Sequence, residues 1–177
     1  SLDEVIRRLE ETLRKDEEDT RDVIRKVRRI LEENRKEVKR VIDELRRRLE
    51  EVKKRVEDSK MDERVLRELE KVVRDILRRI DEVAKESERV VRRVEEEARR
   101  SLKESKEMVE RLLKLLRDGV DADTIREELR KVLEDNKRIL RRLLEELKRV
   151  SEESRDRLRR LKEELERVIE EVERRAK

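Results

Sequence analysis

Residues 115–129, LLRDGVDADTIREEL, combine a helix stop and a helix start within a few positions. Gly119 suits the left-handed position that follows the last turn of a helix. Asp121 suits an N-cap, where a side-chain oxygen accepts a hydrogen bond from a free backbone N–H of the next helix. Val120 before this cap and Ile125 after it form a hydrophobic staple. The segment therefore predicts two helices joined by a short turn.

The same pattern occurs upstream in the segment DSKMD at residues 58–62. There Asp62 is the predicted cap, and Met61 is expected to staple onto Leu66. The two caps lie about 59 residues apart, and Asp3 lies about the same distance before the first, so one helix-plus-turn unit is used three times. The predicted helices cover about residues 2–58, 62–118 and 121–176.

Apolar residues recur at steps of three and four throughout these helices, as on one face of an α-helix. The first stripe consists of Leu2, Ile6, Leu9, Leu13, Val23, Val27, Ile30, Val38, Val41, Leu45, Leu49, Val52 and Val56. The second consists of Leu66, Leu69, Val73, Ile76, Ile80, Val83, Val90, Val94, Ala98, Met108 and Leu112. The third consists of Ile125, Leu129, Val132, Leu140, Leu143, Leu147, Val150, Leu158, Leu161, Leu165, Val168 and Val172. The average step of about 3.6 residues predicts nearly straight helices.

Turns this short force consecutive helices to lie antiparallel. The predicted fold class is therefore all-α, an up-down-up antiparallel three-helix bundle with long, nearly straight helices. Residues 1–177 are expected to form this bundle as a single domain.

Polar residues interrupt the apolar stripes, and counting from the turns places them at two levels of the bundle. The first polar layer consists of Asp16, Thr20, Ser101, Ser105 and Asn136. The second polar layer consists of Asn34, Ser87, Ser151 and Ser154. A buried polar group without a partner costs about 1–3 kcal/mol, so each layer favours the register in which its members meet. The alternative is that these residues lie at the edge of the stripe and contact water.

Composition excludes several classes of function. The 177 residues include no Cys, Phe, His, Pro, Gln, Trp or Tyr, and 60% are charged. The 55 basic residues are interleaved with 51 acidic ones, which indicates a mixed surface and no nucleic-acid partner. No apolar run approaches the ~18 residues of a membrane span, so no membrane partner is expected. No targeting signal is recognised at the first residues, and the localisation stays unknown.

The alternating Glu, Arg and Lys faces, the Leu, Ile and Val stripes, the capped turns at Asp62 and Asp121 and the polar layers together resemble de novo designed helical bundles. In that class, parametrically generated backbones carry buried hydrogen-bond networks. The resemblance covers the whole chain. It implies a structural scaffold with no natural biochemical function, specified by its apolar stripes and polar layers.

Two other functions are alternatives to the scaffold. The clusters Leu112–Leu113, Leu115–Leu116, Ile139–Leu140 and Leu143–Leu144 favour an interaction module, or a subunit of a designed homo- or hetero-oligomeric assembly. An enzyme is not expected, because serine without histidine or a buried lysine has no general base. No cofactor or metal site is expected either, because the chain has no His or Cys ligand and no calcium-binding or phosphate-binding loop. The scaffold requires no partner, although self-association is possible.

Overall fold

A computed structural model of the chain describes residues 2–58 and 63–176. They form three helices: α1 (Leu2–Asp58), α2 (Glu63–Arg117) and α3 (Ala122–Ala176). These bounds agree with the predicted ones to within one residue at each end. The predicted cap at Asp62 and the staple from Met61 lie outside the described residues.

The last turn of α2 ends in the geometry that the sequence predicts for Gly119. This glycine has a φ of 93°, in the left-handed region that favours residues without a Cβ. Its backbone N–H donates to the carbonyl of Leu116 at 3.2 Å, and the N–H of Val120 donates to the carbonyl of Leu115 at 3.0 Å. This pair of bonds is a Schellman motif, which satisfies carbonyl groups that the helix end would leave free.

Helix α3 begins directly after this turn. The carbonyl of Asp121 accepts the first helical hydrogen bond, from the backbone N–H of Ile125 at 3.1 Å. Asp121 therefore occupies the predicted N-cap position. Half-buried Val120 packs against the apolar cluster that contains buried Ile125, as a hydrophobic staple requires.

Contacts divide the chain into two compact units, and each unit draws on all three helices. The first unit comprises residues 2–29 and 90–149, and the second comprises residues 30–58, 63–89 and 150–176.

Ion pairs between helices show that α2 is antiparallel to α1 and to α3 in each unit. Pairs between α1 and α2 are Arg28–Glu95 and Lys106–Glu17 in the first unit, and Arg35–Glu88 and Lys53–Glu70 in the second. Pairs between α2 and α3 are Arg93–Glu146 and Arg142–Glu97 in the first unit, and Arg79–Glu164 and Arg157–Glu86 in the second. In every set, numbering falls along one helix as it rises along the other. The fold is therefore an up-down-up antiparallel three-helix bundle, as predicted.

Each unit has its own apolar core. The core of the first unit includes Val5, Leu9, Val109, Leu112, Leu116, Ile125 and Leu129. The core of the second unit consists of Val41, Leu45, Val52, Val56, Leu69, Val73, Ile76, Ile80, Val83, Leu158, Leu161, Leu165, Ile169 and Val172. Full burial of one such side chain contributes about 1.5–3 kcal/mol, so aliphatic burial supplies most of the stability of a chain without aromatic residues.

The predicted stripes differ from the observed cores where two apolar residues are adjacent. The predicted stripes include Ile6, Val90, Met108 and Val168. In the structure the buried residue is instead the adjacent one in each case: Val5, Val91, Val109 and Ile169. Met108 is 41% exposed. Leu2, which begins α1 and has no adjacent apolar residue, is a separate difference and is 50% exposed. Adjacent residues point about 100° apart on a helix, so only one of each pair can face the core. Along α2, the buried positions from Leu69 to Leu116 follow one another at steps of three or four residues.

Candidate functional site

The nine residues of the two polar layers are the candidate site, and the structure places most of them inside the helix packing. Seven are buried: Asp16, Thr20, Ser87, Ser101, Ser105, Asn136 and Ser154. Asn34 and Ser151 are half-buried. Polar side chains of this kind are usually exposed, so their burial in the apolar stripes requires hydrogen-bond partners.

One amide group joins all three helices in the first polar layer. The Asn136 side chain on α3 donates from Nδ2 to the Asp16 carboxylate on α1. Its Oδ1 accepts a hydrogen bond from the Ser101 hydroxyl on α2. Asn136 is only 2% exposed, and Asp16 only 5%, so water does not compete freely for these groups.

The remaining members of the first polar layer also bond to Asp16. Ser105 on α2 makes a side-chain hydrogen bond to the Asp16 carboxyl group. The Thr20 hydroxyl donates to the backbone carbonyl of Asp16 at 2.9 Å, one turn earlier on the same helix. This bond of the Thr20 hydroxyl stays within α1. The first polar layer therefore connects the helices through the carboxylate, the amide and the two serines.

Asp16 is the one ionisable member of the two layers. Burial raises the pKa of this carboxyl above its ordinary value of 3.8. The hydrogen bonds from Asn136 and Ser105 act in the opposite direction, while the nearby charges of Asp19 and Glu17 raise the pKa further. None of the ion pairs among residues 2–58 and 63–176 includes Asp16, so no cation offsets its burial.

The second polar layer has a weaker connection and no ionisable group. The Ser154 hydroxyl on α3 donates to Oδ1 of Asn34 on α1 at 3.2 Å. The two residues are 120 positions apart in sequence, the same separation as between Asp16 and Asn136. Helices α1 and α3 therefore have the same alignment at both layers.

An open groove gives solvent access to the second polar layer. It has a volume of about 730 Å³ and lies between α1 and α3 of the second unit. Half-buried Asn34 and Ser151 line it beside apolar Ile30, Val41 and Leu158. Water can reach the polar groups here, which explains why fewer direct hydrogen bonds are needed than around Asp16.

A regular spacing of 18 residues within each helix relates the two layers. The pairs at a spacing of 18 residues are Asp16 and Asn34, Ser87 and Ser105, and Asn136 and Ser154. Five turns of α-helix contain about 18 residues, so both members of each pair face the same side of their helix. Ser154 follows this spacing and is buried, whereas Ser151 does not follow it and is half-buried.

Ion pairs of opposite polarity lie beside the two layers. In the first unit Glu17 of α1 pairs with Lys106 of α2 at 3.0 Å. In the second unit Arg35 of α1 pairs with Glu88 of α2 at 2.8 Å. Each of these four residues directly follows a layer residue in the sequence. The acidic partner is therefore on α1 in the first unit and on α2 in the second.

Three further observations on the described residues concern metal binding, membrane spanning and the surroundings of the buried serines. No three acidic side chains within residues 2–58 and 63–176 converge in a way that would hold a metal ion. None of the described helices has an apolar stretch of the length needed to cross a bilayer. Ser101 bonds to the Asn136 amide and Ser105 to the Asp16 carboxyl group, whereas a nucleophilic serine needs a histidine or lysine base beside it.

Comparison with known proteins adds no relative: no family model, no curated protein and no solved structure matches the chain.

Proposed function

We propose that the chain is a designed structural scaffold, a self-contained three-helix bundle with no catalytic role. The apolar cores supply its stability, and the two polar layers select the alignment of its helices. The observation that carries this proposal is the Asn136 amide, which bonds to both other helices from a buried position. The absence of seven amino-acid types from the sequence and the 18-residue spacing of the polar residues support a designed origin.

The physical argument for alignment rests on the difference between apolar and polar contacts. Leucine and valine positions tolerate sliding, because one aliphatic side chain can replace another at modest cost. A shift of α3 by one turn would instead bring Val132 or Leu140 to Asp16 and leave the carboxyl without its amide. An unsatisfied buried group costs about 1–3 kcal/mol, and more when it is charged. The first polar layer therefore disfavours neighbouring registers.

The reversed ion pairs extend this selection to a larger shift. Sliding α1 by 18 residues against α2 would again bring one polar layer against the other. In that arrangement Glu17 would face Glu88 instead of Lys106, and like charges would repel. Exposed pairs contribute only about 0–1 kcal/mol, so these charges discriminate between registers without adding much stability.

The solution mass tests the scaffold proposal directly. We expect a monomer of 21.9 kDa by size-exclusion chromatography with light scattering. Refractive-index detection is required, because the chain has no Trp, Tyr or Phe to absorb in the near ultraviolet. A mass that stays at the monomer value across a hundredfold range of concentration supports the self-contained bundle. A stable dimer or larger species would overturn it.

A second candidate function, an interaction module, is favoured by one exposed surface. Met108 is 41% exposed and Leu115 is 44% exposed. They are seven residues apart on α2 and so face the same side. If this surface binds a second copy, Leu115→Lys should return the dimer to the monomer mass. Leu129→Lys is unsuitable for that purpose, because Leu129 belongs to the core.

A further inference from the structure

Among the acidic residues of segments 2–58 and 63–175, Asp16 stands out because it is buried in the helix packing. Its carboxyl group contacts α2 through Ser105 and α3 through Asn136, both of which are uncharged. A buried carboxylate without a cation favours its neutral form, since the low-dielectric surroundings penalise the charge. The first polar layer therefore contains a carboxyl group whose burial disfavours its ionised form.

The charged groups around this layer do not offset the cost of ionising Asp16. On α1, Glu17 and Asp19 are negative and half-buried, so they oppose a charge on Asp16. On α2, the neighbouring cation is Lys106, and its ammonium group pairs with Glu17 at 3.0 Å. On α3, Asp135 and Lys137 flank Asn136 but are exposed.

We propose that the first polar layer responds to protons: it holds the three helices of the first unit together more tightly when Asp16 is protonated than when Asp16 is ionised. The second polar layer, built from Asn34, Ser87, Ser151 and Ser154, has no group that titrates and does not respond. The chain thus contains one proton-sensitive layer and one insensitive layer.

Hydrogen-bond capacity is compatible with both states of the carboxyl group. Ionised Asp16 accepts from Asn136 and Ser105. Protonated Asp16 has one O–H to donate, and the Ser105 oxygen is an acceptor for it. Ser105 then turns its own hydrogen to the carbonyl of Ser101, four residues earlier, a bond that helical serines commonly make. No group loses its partner on protonation, and a buried charge is removed.

The sign of the pH dependence follows from the raised pKa of Asp16. Its stabilising contribution is complete below the unfolded-state pKa, near 3.8, and is lost as the pH rises through the folded-state pKa. The opening equilibrium constant of the first unit should therefore increase with pH. The total increase is about tenfold for each unit by which the folded pKa exceeds the unfolded one.

Native-state hydrogen exchange measured by NMR on the full chain tests this proposal. Amides of residues 90–149 report the first unit, and those of residues 63–89 and 150–176 report the second, after correction for the intrinsic pH dependence of exchange. In the unmodified chain, opening of the first unit should increase between acidic and neutral pH relative to the second. Asp16→Asn should abolish that difference, because asparagine carries no charge.

Asp19→Asn is the matched control, since it makes the same chemical change three residues away on α1 at a half-buried position. It should leave most of the difference between the units in place. Equal pH responses of the two units, or an effect of Asp19→Asn as large as that of Asp16→Asn, would overturn the proposal.

A direct titration keeps the proposal testable if Asp16→Asn fails to fold. The carboxyl carbon of Asp16 can be followed by NMR across the acidic range in the unmodified chain. A midpoint above 3.8 is expected from the burial of this group. A midpoint at or below that value would contradict the proposal, whatever the oligomeric state of the chain.

Discussion

Replacing Asn136 with alanine should destabilise the bundle through the loss of two buried hydrogen bonds. The Asp16 carboxyl would lose a donor, and the Ser101 hydroxyl would lose its acceptor. Each unsatisfied buried group costs about 1–3 kcal/mol, so we expect Asn136→Ala to lower the free energy of unfolding by about 2–6 kcal/mol. The size of this effect alone does not identify its cause, because a cavity also destabilises.

A double-mutant cycle isolates the interaction between Asp16 and Asn136. The four chains are the unmodified protein, Asp16→Ala, Asn136→Ala and the double variant. We expect a coupling free energy of about 1–3 kcal/mol, because the two side chains share one buried hydrogen bond. Unfolding by guanidinium chloride is followed by circular dichroism of the helices, since the chain has no aromatic fluorophore. The cycle requires two-state unfolding, and calorimetry on the same chains tests for it.

The second polar layer provides the matched comparison. The cycle of Asn34→Ala and Ser154→Ala removes a 3.2 Å hydrogen bond beside an open groove. Water can replace the lost partner there, so we expect a coupling below about 1 kcal/mol. Zero coupling between Asp16 and Asn136, or equal coupling in the two layers, would refute the argument that the first polar layer is held by its buried amide.

Two further predictions concern the turn and the core, and the same unfolding measurement checks both. Gly119→Ala should cost about 1–2 kcal/mol from its positive φ alone, because nothing lies within 4 Å of the added Cβ; Gly119→Asn should cost less. A larger loss for asparagine than for alanine would contradict this account. Leu143→Ala should cost about 2–5 kcal/mol because its side chain is fully buried, whereas Leu115→Ala should change stability by less than about 1 kcal/mol. Similar losses at the two leucines would show that Leu115 is covered in solution.

Much of the fold was predictable because the signals are local. Gly119 and Asp121 place a helix end and a helix start through backbone geometry alone, and the observed bounds agree with them. The choice between Val5 and Ile6, or between Met108 and Val109, was not predictable in the same way. Both members of each pair are apolar, and the phase of the whole helix decides which one faces the core.

For the candidate site, the sequence predicts which polar residues share a helix face but not which hydrogen bonds they form. The stripes indicated which polar residues share a helix face, because their spacing is helical. The bond from Thr20 to its own helix, the groove beside Asn34 and the raised pKa of Asp16 depend on side-chain rotamers and on the space left between helices. Those quantities arise from packing in three dimensions, and no pattern along one helix determines them.

The reversed charges beside the layers also bear on how related chains would mix. A variant that exchanges the signs at Glu17 and Lys106, and again at Arg35 and Glu88, keeps both pairs and the same apolar core. If the first helix of this variant were added as a separate peptide, like charges would repel it at both positions from the second helix of the original chain. Each sequence would then prefer its own first helix, by the roughly 0–1 kcal/mol that each exposed pair contributes. The polar layers would set the register of such a helix peptide, and the charged pairs would favour the peptide with the matching signs.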